Sequence, residues 1–368
     1  MQNNYKLGKF EAIALIVLIM TNKLILNIPY YIVELVGTGA IINLIYIGII
    51  DFMLTLIIIK LFHKFDNSDL IDISEFLGGK KLKYIVGFLC IILFFLIAFI
   101  TLINFSNVLH TIYFSNFPMI YIVLLFISGI LIANIIGFRG ISRTICFIVP
   151  FAILSVIITF ASTSSDLDIK NLTPIFGMNY YTNFVLGLSN CFAIYIIVYF
   201  YFLKPLLKNT RDYKKVSIIS FIISFIILIL TTIPMLTLFN TNTTNEPINS
   251  LFLLSRQIEF GSFLQRLDAI FIFLWIFVIF SYLSFIIFLI NKILKKLILV
   301  YDEKMYSYST CSILFGISLI PINISHIHFI ENTIYRYIII GFCFIFGIII
   351  LSLANIKKIK QEKKSNKL

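Results

Sequence analysis

The feature that most constrains the fold is a series of ten predominantly apolar segments, each roughly the 20 residues that an α-helix needs to cross a bilayer. We number them spans 1 to 10 in chain order, and they cover about residues 10–33, 40–62, 84–109, 119–137, 141–161, 182–203, 215–239, 265–291, 306–325 and 334–355. Hydrophobic residues make up 60% of the chain and charged residues only 12%, which excludes a soluble fold. We therefore predict an all-α integral membrane protein with ten transmembrane helices in a single transmembrane domain over residues 1–368.

The basic residues predict the orientation of the spans, because Lys and Arg concentrate in cytoplasmic connections. With the N-terminus inside, the inner segments hold 24 Lys and Arg residues and the outer segments hold four. Both termini are therefore expected in the cytoplasm, and residues 356–368 form a basic tail that anchors the topology or contacts anionic membrane lipid. This distribution accounts for the formal net charge of +12, so we expect no nucleic-acid partner.

Motifs that would indicate an enzyme are missing from the sequence, which has no Walker loop, no GxSxG and no HExxH. The five cysteines lie in or beside apolar runs and form no CxxC pair, so we interpret them as packing residues. His326 and His328 stand beside Glu331, but an HxH pair alone is a weak metal signal. We expect no enzyme, no cofactor and no metal site.

Spans 1 and 6 each contain a cluster of polar residues that weakens the helix. The two spans occupy matching places in two five-span halves, which cover about residues 10–161 and 182–355. The clusters are Thr21, Asn22, Lys23, Asn27 and Pro29 in span 1, and Gly187, Ser189, Asn190 and Cys191 in span 6. Five is an odd number, so the second half is inverted, and inverted repeats bind substrate near the midplane where corresponding helices are interrupted. Helix ends exposed there would favour an anionic carboxylate. Ordinary hydrogen bonding between helices is the alternative interpretation.

Lys23 and Asp51 are the formal charges that this assignment places deep in the bilayer, on consecutive spans. An unpaired charge at that depth is costly, so we predict that the two side chains form an ion pair beside the substrate site. The Lys23 ammonium would then occupy the place that a coupling cation takes in related transporters. A purely structural pair that locks span 1 to span 2 is the alternative.

Spans 3 and 8 carry further candidate ligand contacts. Asn104, Asn107 and His110 are spaced by three residues and share one helix face, which would line an outer vestibule or form interhelical hydrogen bonds. Span 8 contains Trp275, Ser281, Tyr282 and Ser284 among other aromatic residues. These side chains would give stacking or hydroxyl contacts to a ligand, or they simply pack in the core.

Four segments resemble the B subunits of spore germinant receptors, the GerAB type, in the amino acid–polyamine–organocation transporter superfamily. They are LIMTNKLILNIPY in span 1, NLTPIFGMN before span 6, FLQRLDAIFIFLWIF opening span 8, and IIGFRGISRTICFIVPF before span 5. The resemblance extends along essentially the whole chain. It implies a LeuT-like 5+5 inverted repeat with broken helices 1 and 6, in the spore inner membrane.

The same resemblance implies a partnership with the A and C subunits of a germinant receptor and recognition of a small germinant, most often an amino acid. Its ligand contacts would fall on Thr21, Asn22, Lys23, Asn104, Asn107, Ser189, Asn190, Trp275 and Ser281. The germinant would favour one arrangement of the broken helices and trigger germination by a population shift. Two alternatives remain open, which are an autonomous amino-acid permease, proton-coupled through Asp51, and a structural or channel-like subunit without a ligand.

Overall fold

The computed structural model of the protein describes residues 5–25, 28–163, 169–177, 179–238, 267–298, 300, 302–320 and 324–365. In the first half, the described residues form α1 (Lys9–Ile25), α2 (Ile28–Val36), α3 (Ala40–Phe62), α4 (Leu70–Ile112), α5 (Met119–Ile136) and α6 (Phe138–Thr163). Helices α1 and α2 correspond to span 1, and α3 to α6 correspond to spans 2 to 5. A 3₁₀ turn over Gly37–Gly39 joins α2 to α3. Asn27, a predicted polar residue of span 1, lies outside the described residues.

The second half contains more irregular helices. Span 6 consists of α7 (Tyr180–Phe184), a 3₁₀ segment (Leu186–Ile194) and α8 (Ile197–Leu203). Spans 7 to 9 correspond to α9 (Tyr213–Leu238), α10 (Leu267–Leu297) and α11 (Lys304–Ser318). Span 10 is built from α12 (Ile324–Phe329), a π segment (Ile330–Tyr335), α13 (Arg336–Ile340), a second π segment (Gly341–Phe346) and α14 (Gly347–Ser365). Short 3₁₀ turns cover Ile169–Leu172, Lys204–Leu206 and Thr210–Asp212.

Spans 6 and 10 depart from α-helical geometry in three segments, and two of these, Leu186–Ile194 and Ile330–Tyr335, carry polar residues. A 3₁₀ run rarely exceeds three or four residues, yet the run in span 6 has nine. Span 10 contains two π segments of six residues each. Such deviations expose backbone groups and frequently occur at functional sites. These two spans are therefore the places where the fold suggests a binding function.

Eight helical stretches among the described residues are long and apolar enough to cross a membrane, so the chain is a multi-pass integral membrane protein. They are Ile28–Phe62, Leu70–Ile112, Met119–Ile136, Phe138–Ser162, Tyr180–Leu206, Thr210–Thr237, Phe271–Leu297 and His326–Ser365. Helix α1, with 17 residues, and α11, with 15, are shorter. The count of ten spans thus remains a prediction.

Helix α4 begins well before the predicted start of span 3 at residue 84, because its first turn is capped. The Asp69 carboxylate accepts from the backbone amides of Ile71 and Asp72, and Asp72 accepts in return from the Asp69 amide. This capping box stabilises a helix start. Gly79 then breaks the regular geometry with φ of 70° and ψ of −164°, a conformation that glycine adopts without strain. The segment 70–78 is thereby turned relative to the long helix that follows.

The first described residues, from Tyr5, and the last described helix, α14, meet at one end of the helix bundle, which we call the terminal end. There the Leu7 amide donates to the Leu206 carbonyl at 2.8 Å, and the Lys208 amide donates to the Leu7 carbonyl at 2.9 Å. The Lys357 ammonium donates to the Phe76 and Leu77 carbonyls at 2.7 and 3.0 Å. Hydrogen bonds thus connect the segments of the terminal end, which are residues 5–8, 62–77, 204–213 and 357–358.

Candidate functional site

Lys23 of α1 forms a buried ion pair with Glu331 of span 10. The Lys23 Nζ lies 3.2 Å from the Glu331 Oε1, and the two side chains are 0% and 1% exposed. Glu331 lies in the π segment Ile330–Tyr335, which places the carboxylate beside α1. A buried ion pair is stable only when its remaining donors and acceptors are also satisfied.

The second oxygen of Glu331 accepts from two further elements. The Asn104 Nδ2 of α4 donates to the Glu331 Oε2 at 2.7 Å, and the Tyr31 hydroxyl of α2 approaches the same oxygen at 3.4 Å. Tyr31 also lies 3.0 Å from the Nδ1 of His328. Glu331 therefore joins spans 1, 3 and 10 at one point.

Aromatic rings surround the Lys23 ammonium. Its Nζ lies 4.6 Å from the ring centroid of Tyr335 and 5.7 Å from that of Tyr195, within the range of cation–π attraction. The Tyr195 hydroxyl of span 6 donates to the Ile19 carbonyl and lies 3.3 Å from the Tyr282 hydroxyl of span 8. We call the residues that converge here the polar seam, and they are Lys23, Tyr31, Asn104, Tyr195, Tyr282, Glu331 and Tyr335.

The predicted ion pair between Lys23 and Asp51 is not formed. Lys23 turns toward Glu331, whereas Asp51 of α3 faces spans 6 and 10, where the thiols of Cys191 and Cys343 interact with it electrostatically. The Asp51 carboxyl is fully buried and accepts no hydrogen bond of ordinary geometry from the described residues. The prediction was wrong because it placed Glu331 in a connection outside the bilayer and so excluded the correct partner.

Asn190 of span 6 takes part in a chain of amide hydrogen bonds rather than in the polar seam. The Asn190 Nδ2 donates to the Asn43 Oδ1 at 2.8 Å, and the Asn43 Nδ2 donates to the Asn183 carbonyl at 2.7 Å. Gly187 permits this approach, since a Cβ at that position would lie 2.2 Å from the Asn43 Nδ2. These bonds hold span 6 against α3.

Ser189 lies in the same 3₁₀ segment and contacts a different charge. Its hydroxyl accepts from the Arg336 Nη1 of span 10 at 3.2 Å and donates to the Leu186 carbonyl at 2.8 Å. Arg336 immediately follows the π segment that contains Glu331. Ser189 and Asn190 thus contact opposite neighbours, span 10 and α3.

The other candidates of span 1 are buried. The Thr21 hydroxyl donates to the Leu18 carbonyl at 2.9 Å, so it is satisfied within its own helix. Neither the Nδ2 nor the Oδ1 of Asn22 forms a hydrogen bond of ordinary geometry to a described residue, although Asn22 is 0% exposed. A buried amide without partners is expensive, and it marks a place where a bound group can supply the hydrogen bonds.

Two candidates of span 8 are buried, but Tyr282 is the residue that reaches the polar seam. Trp275 lies against Phe271, with ring centroids 5.6 Å apart, and its Nε1 donates to no described residue. Ser281 lines a cavity of about 260 Å³ between α5, α6 and α10, together with Gly129 and Ala133. Ser281 therefore faces α5 and α6, and its hydroxyl forms no hydrogen bond to a residue of the polar seam.

The remaining polar residues of spans 3 and 10 bond locally or lie at the surface. The Asn107 carbonyl and side chain accept from the Thr111 hydroxyl one turn later, at 2.8 and 3.4 Å. His326 is exposed. Within the described ranges, no group of three or more His, Cys, Asp and Glu side chains comes together that could hold a metal ion.

Sequence reasoning missed Glu331 and Arg336 as site residues. Predicted span 10 began at residue 334, because the stretch 326–333 reads as polar, yet the helix continues through it from Ile324. The charge of Glu331 is tolerated there because Lys23 and Asn104 neutralise and solvate it. A search for an acidic partner of Lys23 at the edge of a span would have found it.

Comparisons with known proteins agree with this architecture. A family model described as "Spore germination protein" matches residues 6–327. Among solved structures, a mutant of a manganese transporter from Eremococcus coleocola is similar, with a TM-score of 0.54 and 13% sequence identity. That alignment covers 94% of this chain and 76% of the transporter, and it indicates a shared fold. No curated protein matches the chain.

Proposed function

Because the chain belongs to the spore germination protein family, we propose that it is the germinant-sensing membrane subunit of a spore germination receptor. It would bind a small germinant, an amino acid, at the membrane midplane, and would work with the A and C subunits in the spore inner membrane. The terminal end would face the cytoplasm, as the distribution of basic residues predicts.

One observation carries this proposal, which is the ion pair between Lys23 and Glu331 at the junction of spans 1, 3 and 10. A transporter that moves a coupling cation must release it again, whereas the Lys23 ammonium is covalently fixed to α1. The fixed charge holds the junction without an exchangeable ion, as a sensor requires. We propose the ten-helix 5+5 inverted repeat as the arrangement in which the pair acts, with halves over about 10–161 and 182–355.

The mechanism that we propose is a population shift among arrangements of spans 1, 6 and 10. Spans 6 and 10 contain 3₁₀ and π segments, whose hydrogen bonds are more readily rearranged than those of a regular helix. A germinant that binds one arrangement tenfold more tightly shifts the equilibrium by about 1.4 kcal/mol. The partner subunits would respond to the favoured arrangement.

The test is deletion of the gene, followed by germination assays of the spores against a panel of amino acids. We expect loss of the response to at least one amino acid, with recovery on complementation by the wild-type gene. Unaltered responses across the whole panel would remove the receptor proposal. Reconstituted chain in proteoliposomes supplies the second readout, and robust uptake of a radiolabelled amino acid by the lone chain would favour an autonomous permease.

Complementation with two matched variants separates sensing from folding. Asn22→Ala removes a buried amide that lies beside the Tyr195 hydroxyl but forms no hydrogen bond of ordinary geometry with a described residue, so we expect a shift of about tenfold in the effective germinant concentration and little change in stability. Asn134→Ala removes an amide that donates to the Ile130 and Ser284 carbonyls at 3.0 and 3.1 Å. We expect this control to lower stability without shifting the concentration, since the lost interhelical bond to Ser284 contributes about 1 kcal/mol.

A further inference from the structure

Arg336 is a buried cation in span 10 with part of its guanidinium unused. The residue is 5% exposed, and its Nη1 donates to the Ser189 hydroxyl at 3.2 Å. Its guanidinium carbon lies 4.6 Å from the ring centroid of Phe192. Arg336 therefore packs on the 3₁₀ segment of span 6, which contains both Ser189 and Phe192.

The two other nitrogen atoms of the guanidinium, Nε and Nη2, donate to no described residue. No carboxylate of the described chain lies within 4.0 Å of Arg336, although Glu34 and Tyr31 are near enough to interact with it electrostatically. Glu34 is itself exposed and accepts from the Asn332 Nδ2 at 3.4 Å. A buried guanidinium without an anion is strongly disfavoured, so an acceptor is expected on this edge.

The unused donors have the geometry of a carboxylate receptor. The Nε–H and one Nη2–H of a guanidinium point in the same direction, and their spacing matches the two oxygens of a carboxylate, which gives a bidentate, charge-assisted contact. The third nitrogen, Nη1, donates to the Ser189 hydroxyl, and this hydrogen bond fixes the plane of the guanidinium. We infer that Arg336 binds the carboxylate of the germinant side-on, an inference that rests on the proposed function.

The acidic side chain of Glu34 indicates which class of carboxylate ligand Arg336 would bind. Glu34 interacts electrostatically with Arg336, and it would repel a second negative charge on the bound molecule. It would attract an ammonium carried next to the carboxylate. A zwitterionic α-amino acid fits this arrangement better than a dicarboxylate, because its two charges match Arg336 and Glu34 in sign.

The experiment uses the full chain in nanodiscs of phosphatidylcholine, so that no anionic lipid head group competes for Arg336. Thermal shifts with each of the standard amino acids identify the one that stabilises the wild-type chain most. Its affinity is then compared with those of its carboxamide, which lacks the carboxylate, and of the matching acid without the amine. We expect the carboxamide to bind the wild-type chain about 10- to 100-fold more weakly, or about 1.4 to 2.8 kcal/mol.

Substitutions at Arg336 assign that discrimination to the guanidinium. Arg336→Gln should weaken amino-acid binding by about the same factor. It should also reduce the preference for the acid over the carboxamide to within about threefold, because removing the guanidinium and removing the carboxylate abolish the same contact and their effects do not add. Arg336→Lys should restore part of the affinity, because it keeps the charge but loses the side-on pair. Arg139→Gln is the matched control at an exposed arginine, and it should bind like the wild type.

Three results would overturn the inference. They are the absence of binding by any amino acid, equal binding of acid and carboxamide by the wild-type chain, and an undiminished preference in Arg336→Gln. The carboxamide comparison needs no variant, so it decides the question even if Arg336→Gln fails to fold. If gene deletion abolishes an amino-acid response that Arg336→Gln leaves intact, only this inference fails. If deletion changes no response, the receptor function fails.

Discussion

The buried cations of the terminal end and those near the polar seam differ in how completely they are satisfied. At the terminal end, the Lys204 ammonium donates to the Phe62 and Phe65 carbonyls at 2.7 and 2.6 Å and to the Asp66 carboxylate at 3.1 Å. Near the polar seam, two nitrogens of Arg336 and both polar atoms of Asn22 form no hydrogen bond of ordinary geometry with a described residue. Buried polar groups with all their hydrogen bonds formed are typical of a structural region, whereas buried polar groups that lack partners are typical of a ligand site.

The same contrast holds for acidic groups. The Lys296 ammonium lies 2.6 Å from carboxylate oxygens of both Asp69 and Asp72, which also form the capping box of α4. Asp51, by comparison, has two fully buried oxygens without a cation among the described residues. Lys204 and Lys296 therefore have several partners each, whereas Arg336 and Asp51 have no counter-charge within 4.0 Å among the described residues. Glu331, with three partners, is satisfied like the groups of the terminal end. If this difference separates folding from sensing, substitutions in the two regions should change stability and the germinant response to different extents.

The largest effect is expected from Glu331→Gln. The substitution keeps the shape of the side chain but leaves the Lys23 ammonium buried without its counter-charge, and breaking a buried pair this way costs about 3–5 kcal/mol. Thermal and denaturant unfolding in detergent would measure the loss. Glu362→Gln is the control, because its pair with Lys64 is exposed and should contribute about 1 kcal/mol or less. Stability equal to that of the wild type would contradict the buried-pair assignment.

A double variant extends that prediction to function. Lys23→Met combined with Glu331→Leu removes both charges, and replacing a buried pair by apolar residues is often neutral for stability. We expect stability to recover while the germinant response stays lost. Recovery of the response as well would leave only a structural role for the pair.

The next effect in size is expected at the terminal end, from Lys204→Met. This change removes the Lys204 donor from the buried Phe65 carbonyl and one of the two donors from the Phe62 carbonyl, which still accepts from the Phe65 amide at 3.0 Å. Because both lost bonds are charge-assisted, we expect a loss of about 2–4 kcal/mol in the free energy of unfolding. Once the protein is folded, the affinity for its amino acid should be unchanged, since the contact lies away from the polar seam. Lys208→Met, at an exposed lysine, should change neither quantity. A large affinity loss in Lys204→Met would erase the distinction between the two regions.

Much of the architecture was predictable from the sequence, because hydrophobicity alone determines which segments enter a bilayer. The helices agree with the predicted spans to within a few residues where the segment is predominantly apolar and carries no charged residue, as in α5 (Met119–Ile136). The agreement fails where polar groups are paired inside the protein. Span 10 starts about ten residues earlier than predicted, because Glu331 is neutralised by a lysine more than 300 residues away in sequence.

Less of the candidate site was predictable, since a sequence shows which polar residues enter the membrane but not which of them meet. Lys23 and Asn104 were both predicted, and the structure joins them through Glu331. Asp51 was predicted as the partner of Lys23 and is not. Pairing depends on helix rotation and on local 3₁₀ and π geometry, and neither can be derived from hydropathy. Arg336 was counted only as one of the four basic residues of the outer segments, at the start of predicted span 10, so its contacts with span 6 were not anticipated.

A smaller effect is expected from Gly187→Ala, which tests the bridge between span 6 and α3. The new methyl group would meet the Asn43 Nδ2 at 2.2 Å and would push the two elements apart, at a cost of about 1–3 kcal/mol. Gly316→Ala is the matched control, because nothing lies within 4 Å of its Cβ position in α11. That control should be neutral or stabilise by up to about 1 kcal/mol through helix propensity. Equal behaviour of the two variants would show that the close packing of span 6 is not needed.

The smallest effect on stability is expected from Asp51→Asn, and this variant separates a sensor from a proton-coupled permease. Asp51 has no cation to lose among the described residues, so a neutral amide of the same shape should change the free energy of unfolding by about 1 kcal/mol or less. Asp69→Asn is the same substitution at a carboxylate that binds Lys296 and caps α4, and it should cost about 1–3 kcal/mol.

For a sensor, Asp51→Asn leaves the germinant response intact. If instead the wild-type chain drives amino-acid uptake from a pH gradient in proteoliposomes, and Asp51→Asn abolishes uptake but not binding, the carboxyl group carries the proton of a permease. In that case the terminal end would serve folding, and the region near the polar seam would serve transport.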